Sequence, residues 1–145
     1  MNLLFLCTGN SCRSQMAEGW AREFSKTHPA IRLTALSAGL EAHGLNPRAV
    51  RAMGVHGVDI SNQTSDSLND RMLEQADLVI TVCSQADANC PLIPPGKEKL
   101  HIPFPDPANA SGTDEEIDAL FNDVCLQIRD RLYTLLPTLG KRSPE

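Results

Sequence analysis

Two thiols, an arginine and a serine lie close together in the stretch CTGNSCRS, residues 7–14. Cys7 and Arg13 form the pattern Cys-x5-Arg, and Ser14 follows directly. A loop that leads into the first turn of a helix directs several backbone N–H groups at one point, where they can bind a tetrahedral oxyanion. Arg13 can clamp two oxygens of that anion, and its positive charge favours the thiolate of Cys7. We therefore predict an activated nucleophile under a bound oxyanion, with Ser14 donating a hydrogen bond to the sulfur.

The loop itself is predicted to supply the anion-binding groups. Glycine permits a positive φ at position 9, and asparagine tolerates the left-handed region at position 10. The second thiol of the loop is predicted to be a small space-filler whose side chain is directed away from the anion. The predicted oxyanion-binding residues are Thr8, Gly9, Asn10, Ser11, Cys12 and Arg13.

The Cys-x5-Arg pattern is not specific without its context. It occurs a second time between Cys125 and Arg131, inside an amphipathic helical pattern that has no glycine and follows no strand. That copy is interpreted as accidental. The first copy follows the apolar run NLLFL and precedes a helix, which is the context that anion binding requires.

Composition limits the compartment and the partners. The chain has 145 residues, a net charge of −5 and five cysteines. An acidic chain is not expected to bind nucleic acid or an anionic membrane surface. The N-terminus has neither the basic region nor the cleavage site of a signal peptide, so we expect a cytoplasmic protein. In a reducing compartment, paired thiols are more often catalytic, redox-active or metal-binding than structural.

The other thiols leave alternatives open. Cys83 and Cys90 could bind zinc with His101 or Cys12, but their spacing is not the tight Cys-x2-Cys of structural zinc sites. Cys125 flanks the apolar stripe of the last helix and is interpreted as packing.

Strands and helices alternate along the chain, which predicts an α/β fold. A capping box of Thr113 and Glu116 begins a long helix that is predicted to end at Pro137. We expect one domain, residues 1–145, with a parallel sheet of about four strands, helices on both faces and a frayed tail from Gly140. Predicted strands are Asn2–Leu6, Arg32–Ala38, Asp77–Val82 and Leu100–Ile102; other predicted helices are Ser14–Lys26, Pro47–Met53 and Leu68–Ala76. Cys7 and Cys83 follow strands, where such sheets bind ligands.

The motifs extend beyond the first loop. CTGNSCRSQMAEGW, SAGLEAHGLNP, DISNQTSD, DLVITVCSQADANCPLIPP and FPDPA cover nearly the whole chain. Together they resemble the low-molecular-weight tyrosine phosphatase fold, and most closely its thioredoxin-coupled arsenate reductases. The resemblance implies that Asp106, in FPDP, is a general acid on a mobile loop. From the residues alone, Asp106 would be an ordinary turn residue between prolines. FPDPANASGT lacks the tryptophan that often follows this aspartate in relatives.

The resemblance allows two chemistries. A phosphatase would use Cys7, Arg13 and Asp106, leaving Cys83 and Cys90 idle. An arsenate reductase would pass two electrons through a Cys7–Cys83 disulfide and then a Cys83–Cys90 disulfide, which thioredoxin reduces. The sequence favours the reductase, with phosphatase activity as the alternative, and leaves thioredoxin or a glutaredoxin-type donor open.

The spacing of the second thiol pair has its own consequence. If residues 83–90 are helical, seven steps of about 1.5 Å separate the two Cα atoms by about 10 Å. A disulfide requires about 4.4–6.8 Å, so the segment would have to unwind on oxidation.

The resemblance also implies the ligands. Arsenate is the expected substrate, phosphate and sulfate are expected analogues, and no tightly bound cofactor is expected. The chain is expected to be a monomer. Four residues match positions that hold a potassium ion in some relatives, with ordinary hydrogen bonding as the alternative interpretation: Asn10, Glu18, Ser37 and Asp66.

Overall fold

The computed structural model describes residues 1–89 and 97–140. The strands are β1 Asn2–Cys7, β2 Thr34–Gly39, β3 Leu78–Thr81 and β4 Glu98–His101. The helices are α1 Arg13–Thr27, α2 Pro47–Val55, α3 Asp70–Gln75, α4 Ser84–Ala88 and α5 Asp114–Gly140, with a short 3₁₀ helix at Pro107–Asn109. Cys90 and the tail after Gly140 lie outside the described residues, so the predictions made for them concern a part of the chain not described here.

The strands form one parallel sheet in the order β2-β1-β3-β4. Successive side chains of a strand point to opposite faces, and Leu3, Leu4, Phe5 and Leu6 of β1 are all buried. Helices must therefore cover both faces of the sheet. The predicted four-stranded α/β fold is confirmed.

The sheet register brings the chemistry to one edge. Cys7 at the end of β1 lies opposite Gly39 at the end of β2. Leu6 lies opposite Thr81, the last residue of β3, so Cys83 follows at the same edge. The carboxyl ends of three neighbouring strands thus meet around the first loop.

Helix α5 begins as predicted and ends later than predicted. The Glu116 amide donates to Thr113 Oγ1 over 3.1 Å, and the Thr113 amide donates to Glu116 Oε1 over 3.3 Å, which is the expected capping box. The helix does not stop at Pro137 but continues to Gly140. Burial of Leu136 and Leu139 favours this last turn despite the amide that proline lacks.

Other boundaries differ because local hydrogen bonds decide them. The Asn69 side chain accepts from the Met72 amide, so α3 begins after Asn69 rather than at Leu68. β2 begins at Thr34 rather than Arg32. β4 begins at Glu98 rather than Leu100, and its first two side chains are exposed and charged, so no apolar pattern indicated this earlier start. Within the described ranges, no helix has the length and apolar character needed to span a membrane.

Candidate active site

The first loop is held by its carbonyl oxygens. Backbone amides of the segment that follows β2 donate to four of them: Leu40 to Cys7 over 3.1 Å, Glu41 to Thr8 over 3.0 Å, His43 to Gly9 over 2.8 Å and Asn46 to Ser11 over 3.0 Å. In a trans peptide the N–H points opposite to the C=O. The N–H groups of these peptides therefore point away from the segment after β2, as the predicted anion-binding loop requires, and we call residues 7–14 the anion cup.

The cup opens into a pocket at the edge of the sheet. Besides the loop, the pocket is lined by Cys83 and Gln85 after β3 and by Phe104 and Asp106 before the 3₁₀ helix. The structure therefore brings together the predicted nucleophile, the predicted arginine, the predicted acid and Cys83, the second thiol of the predicted relay. Cys90, the third thiol of that relay, lies outside the described residues.

The Cys7 thiol faces a hydroxyl whose direction is set by its neighbours. Cys7 Sγ lies 2.8 Å from Ser14 Oγ, and both residues are buried. Asn10 Nδ2 donates to the same hydroxyl over 2.8 Å. Because Ser14 Oγ accepts from Asn10, its own proton is free to point at the sulfur. A hydroxyl proton directed at sulfur stabilises the thiolate, which is the role predicted for Ser14.

The two backbone predictions for the loop have different outcomes. Asn10 has φ of 48°, in the left-handed region, as its side chain chemistry allows. Gly9 is not among the positive-φ glycines, so the positive φ that glycine permits at this position is not used. A Cβ at Gly9 would lie 2.8 Å from Cγ of the half-exposed His43 ring, which would have to shift to make room.

Cys12 is the second thiol of the loop and lines the same pocket. Burial, assisted by the charge of Asp106, raises the pKa of Cys12 to about 11. This thiol therefore stays protonated at neutral pH and does not compete with Cys7 as a nucleophile.

Arg13 is positioned by the opposite wall of the pocket. Its Nη1 donates to the Phe104 carbonyl over 3.2 Å, and its Nη2 lies 3.5 Å from Asp106 Oδ2. Asp106 caps the 3₁₀ helix, because its Oδ1 accepts from the Ala108 amide over 3.0 Å. The contact with Arg13 places the Asp106 carboxyl at the anion cup, where an acid can reach a leaving group.

Cys83 is buried and is held from two sides. Its sulfur lies 3.3 Å from Thr8 Oγ1 of the anion cup and accepts from the Ala86 amide over 3.3 Å. The contact with Thr8 joins Cys83 directly to the loop that carries Cys7. Residues 84–88 form α4. The predicted unwinding assumes that the segment after Cys83 is helical, and its described part is helical.

Three of the four predicted potassium ligands form one hydrogen-bonded chain. Asn10 Nδ2 donates to Ser37 Oγ over 2.9 Å, and Ser37 donates to Glu18 Oε1 over 2.6 Å. Arg22 forms an ion pair with Glu18. Burial raises the pKa of Glu18, against the hydrogen bond from Ser37 and the charge of Arg22. Asp66 joins through its backbone amide, which donates to Asn10 Oδ1 over 2.8 Å.

Two supporting residues were missed by the sequence analysis. Gln15 is fully buried in α1, and its Nε2 donates to the Asn10 carbonyl over 3.0 Å and to the Thr64 carbonyl over 2.9 Å. Gln15 lies on the side of α1 opposite to its apolar stripe, so the sequence pattern held no signal for its burial. Gly39 has no signal of its own, because its role depends on how β2 packs on the loop.

Gly39 provides a test of how closely the cup is packed. A Cβ at Gly39 would overlap the Glu41 carbonyl and lie 2.7 Å from the Asn10 amide nitrogen. We expect Gly39→Ala to lower the free energy of unfolding by about 1–3 kcal/mol, because the crowded atoms belong to the backbone and cannot easily move aside. Because the same backbone forms the cup, we also expect phosphate no longer to raise the thermal midpoint of this variant. Thermal unfolding with and without phosphate measures both effects.

Gly54→Ala is the matched control. Gly54 lies in α2 with open space at its Cβ position, so alanine there should raise stability by about 0.4–1 kcal/mol and leave the phosphate effect intact. A Gly39→Ala protein as stable and as responsive to phosphate as the wild type would contradict the packing argument.

Comparison with known proteins identifies the family. Residues 2–145 match the sequence profile of the low molecular weight phosphotyrosine protein phosphatases. The chain belongs to this family. It is 52% identical over 136 residues to the arsenate reductase of Bacillus subtilis (strain 168), covering 94% of this chain and 95% of that protein. It is 53% identical over 136 residues to the arsenate reductase of Bacillus licheniformis, with the same shares of both chains covered.

Solved structures agree with this family assignment. An arsenate reductase in the phosphate binding state is 31% identical, with a TM-score of 0.71 over 94% of this chain and 97% of that one. A low molecular weight protein tyrosine phosphatase from T. tengcongensis shares the fold at 24% identity, with a TM-score of 0.83 over 95% and 99% of the two chains. The predicted family is confirmed, and the chain is an enzyme of that family.

Proposed function

We propose that this family member reduces arsenate to arsenite through a relay of its own thiols. The observation that carries the proposal is Cys83: a second thiol, buried in the pocket of Cys7 and in contact with the loop at Thr8. Hydrolysis of a phosphate ester has no use for that thiol. The curated relatives at about half identity over most of the chain are arsenate reductases, which supports the same function.

The first step uses the anion cup. The N–H groups of the loop and the Arg13 guanidinium hold the arsenate oxygens, and the Cys7 thiolate attacks arsenic. A sulfur–arsenic bond forms and an arsenic–oxygen bond breaks. Asp106 protonates the departing oxygen so that it leaves as water. Ser14 stabilises the thiolate before the attack through its 2.8 Å contact with the sulfur.

The second step transfers the electrons. Cys83 attacks the sulfur of the Cys7–arsenic adduct, the electron pair of the sulfur–arsenic bond goes to arsenic, and arsenite leaves. Cys90 then attacks Cys83, the Cys7–Cys83 bond breaks, and Cys7 is recovered as thiolate. Two thiols have supplied two electrons, and the remaining Cys83–Cys90 disulfide is reduced by an external dithiol.

We propose thioredoxin as that dithiol. A Cys83–Cys90 disulfide is an intramolecular substrate for thiol–disulfide exchange with a dithiol protein. Arsenate-dependent NADPH oxidation should proceed with thioredoxin and its reductase, and should be far slower with glutaredoxin and glutathione. The reverse order would assign a glutaredoxin-type donor. Thiol chemistry of this kind requires a reducing compartment, which agrees with the predicted cytoplasmic location. The monomeric state also stays a prediction.

A phosphatase activity of the same site is the second candidate. Cys7, Arg13 and Asp106 lie around one pocket, and these groups suffice for attack on phosphorus and protonation of a leaving oxygen. We propose it as a side activity toward small aryl phosphates, because nothing in those two steps involves Cys83.

The acid is tested by Asp106→Asn. Asparagine keeps the size of the side chain but cannot supply a proton, so turnover should fall by about 10²–10⁴-fold. Phosphate should still protect the variant against thermal unfolding, because Arg13 and the loop amides remain. Steady-state kinetics and thermal unfolding give the two readouts. An unchanged rate of both arsenate and aryl phosphate turnover would place the acid elsewhere.

Potassium is proposed as a stabilising ion only. The side chains of Asn10, Glu18, Ser37 and Asp66 carry oxygen atoms of the kind that hard cations prefer. We expect KCl to raise the thermal midpoint above that in equal NaCl by about 2–5 °C, because an ion that binds only the folded state stabilises it. Glu18→Gln should remove the difference. Equal midpoints in both salts for the wild type would mean that these residues only hydrogen-bond one another.

A further inference from the structure

A cluster of polar side chains joins α4 to the last two strands of the sheet. Thr81 ends β3 and is fully buried, and its hydroxyl lies 3.1 Å from Asp87 Oδ1 and 3.0 Å from His101 Nδ1. Lys99 Nζ lies 2.8 Å from the same oxygen of Asp87. The proposed mechanism uses none of these four residues, which we call the α4 anchor.

The hydrogen bonds of the α4 anchor have a definite direction. The Lys99 ammonium, more than any other group, lowers the pKa of Asp87, so the carboxylate is ionised at neutral pH and can only accept. The single proton of the Thr81 hydroxyl is therefore available to Asp87. His101 Nδ1 lies 3.0 Å from the Thr81 hydroxyl, which also lies 3.3 Å from the Leu100 carbonyl oxygen. Asp87 is held by a buried hydroxyl on one strand and by an ammonium on the next.

Asp87 also occupies a particular place in the thiol segment. It lies four residues after Cys83 and three before Cys90 in the sequence. Its amide donates to the Cys83 carbonyl over 3.1 Å within the helix that Cys83 begins. Asp87 is thus bound to the sheet through its side chain and to the second thiol through its backbone.

We propose that Asp87 is a positioning residue of the thiol relay: its contacts with Thr81 and Lys99 hold α4 in the dithiol form and are released when the Cys83–Cys90 disulfide forms. The inference rests on the proposed function. The disulfide requires Cα atoms about 4.4–6.8 Å apart, whereas a helix over all seven steps from Cys83 to Cys90 would span about 10 Å. Within that segment Ser84–Ala88 is helical, so we expect the turn around Asp87 to open. The α4 anchor then favours the dithiol and makes the disulfide easier for the external dithiol to reduce.

The redox equilibrium of the pair tests this directly. In a Cys7→Ser background, the protein is equilibrated with mixtures of reduced and oxidised dithiothreitol. The fraction of Cys83–Cys90 disulfide is read by thiol alkylation and peptide mass spectrometry. We expect Asp87→Asn to shift the equilibrium toward the disulfide by about 3- to 10-fold, which lowers the reduction potential by about 15–30 mV.

Two further variants separate the ion pair from general damage. Lys99→Met should shift the equilibrium in the same direction, and the Asp87→Asn/Lys99→Met double variant should shift it by less than the sum, because both changes remove one interaction. Asp59→Asn is the matched control: Asp59 is also an aspartate with a lowered pKa, but it accepts from Ser61 in the turn after α2. Its equilibrium should equal that of the parent.

Salt provides a readout that a merely structural role would not change. Asp87 and Lys99 are each about one-third exposed, so added NaCl screens their attraction. The potential of the parent should move toward that of Asp87→Asn as salt rises, and the potential of Asp87→Asn should stay constant.

Two results would overturn the inference. The first is an Asp87→Asn protein with the same dithiol–disulfide equilibrium as the parent. The second is an Asp59→Asn protein whose equilibrium shifts as far as that of Asp87→Asn. Either would show that the α4 anchor has no specific role in a relay that still operates. A Cys7→Ser parent that forms no Cys83–Cys90 disulfide at any dithiothreitol ratio would overturn the relay itself, and the proposed function with it.

Discussion

Cys7→Ser should abolish both arsenate reduction and aryl phosphate hydrolysis. Both reactions begin with the same thiolate, and a serine hydroxyl at this position is a far weaker nucleophile. The fold should survive, because serine is similar in size to cysteine and Ser14 remains a hydrogen-bond partner for it. Phosphate should still raise the thermal midpoint of the variant. Both activities are measured by steady-state kinetics beside the phosphate titration.

Cys125→Ala is the control for loss of a thiol as such. Cys125 is fully buried, and its sulfur contacts Met53 Sδ at 3.4 Å in the core, away from the pocket residues. This variant should lose stability by about 1 kcal/mol because a small cavity forms, yet keep both activities. Arsenate turnover retained in Cys7→Ser would mean that the anion cup has been misinterpreted.

Cys83→Ser should separate the two chemistries. The cup, Arg13 and Asp106 are unchanged in this variant, so hydrolysis of a small aryl phosphate should persist near the wild-type rate. Multiple-turnover arsenate reduction should vanish, because no thiol is placed to attack the Cys7–arsenic adduct. Parallel assays with an aryl phosphate and with arsenate plus thioredoxin measure the two activities.

Cys90→Ser complements that experiment. It should allow about one turnover and trap a Cys7–Cys83 disulfide, because the resolving thiol is missing. Peptide mapping under non-reducing conditions detects the trapped species. In the wild type, one equivalent of arsenate should produce Cys83–Cys90 and change protease sensitivity at Ser84–Asn89. A Cys83→Ser protein that reduces arsenate through many cycles would instead indicate an external thiol as the direct reductant.

The nucleophile, its arginine and the order of elements were predictable from the sequence because they are local. The strand, loop and helix around Cys7 are consecutive in the chain, and their patterns read directly as the observed β1 and α1. The capping box of Thr113 and Glu116 was predictable for the same reason.

What could not be predicted depends on contacts between distant segments. From the residues alone Asp106 is a turn residue; the resemblance assigns it to the site, and its approach to Arg13 is the contact between distant segments that brings it there. The close packing at Gly39 and the carbonyl partners from Leu40 to Asn46 are set by the pairing of β1 with β2. Helix α5 passes Pro137 because tertiary burial outweighs a local stop signal.

The carbonyl partners of the anion cup have a consequence for how phosphate affects stability. The cup exists only after β2 has paired with β1, so an oxyanion binds the folded chain and not the unfolded one. Phosphate at about 100 times its dissociation constant would add about 2.7 kcal/mol to the free energy of unfolding. On the proposed function, the same phosphate would compete with arsenate for the cup. Phosphate is therefore expected to protect this enzyme from proteolysis while slowing its arsenate turnover.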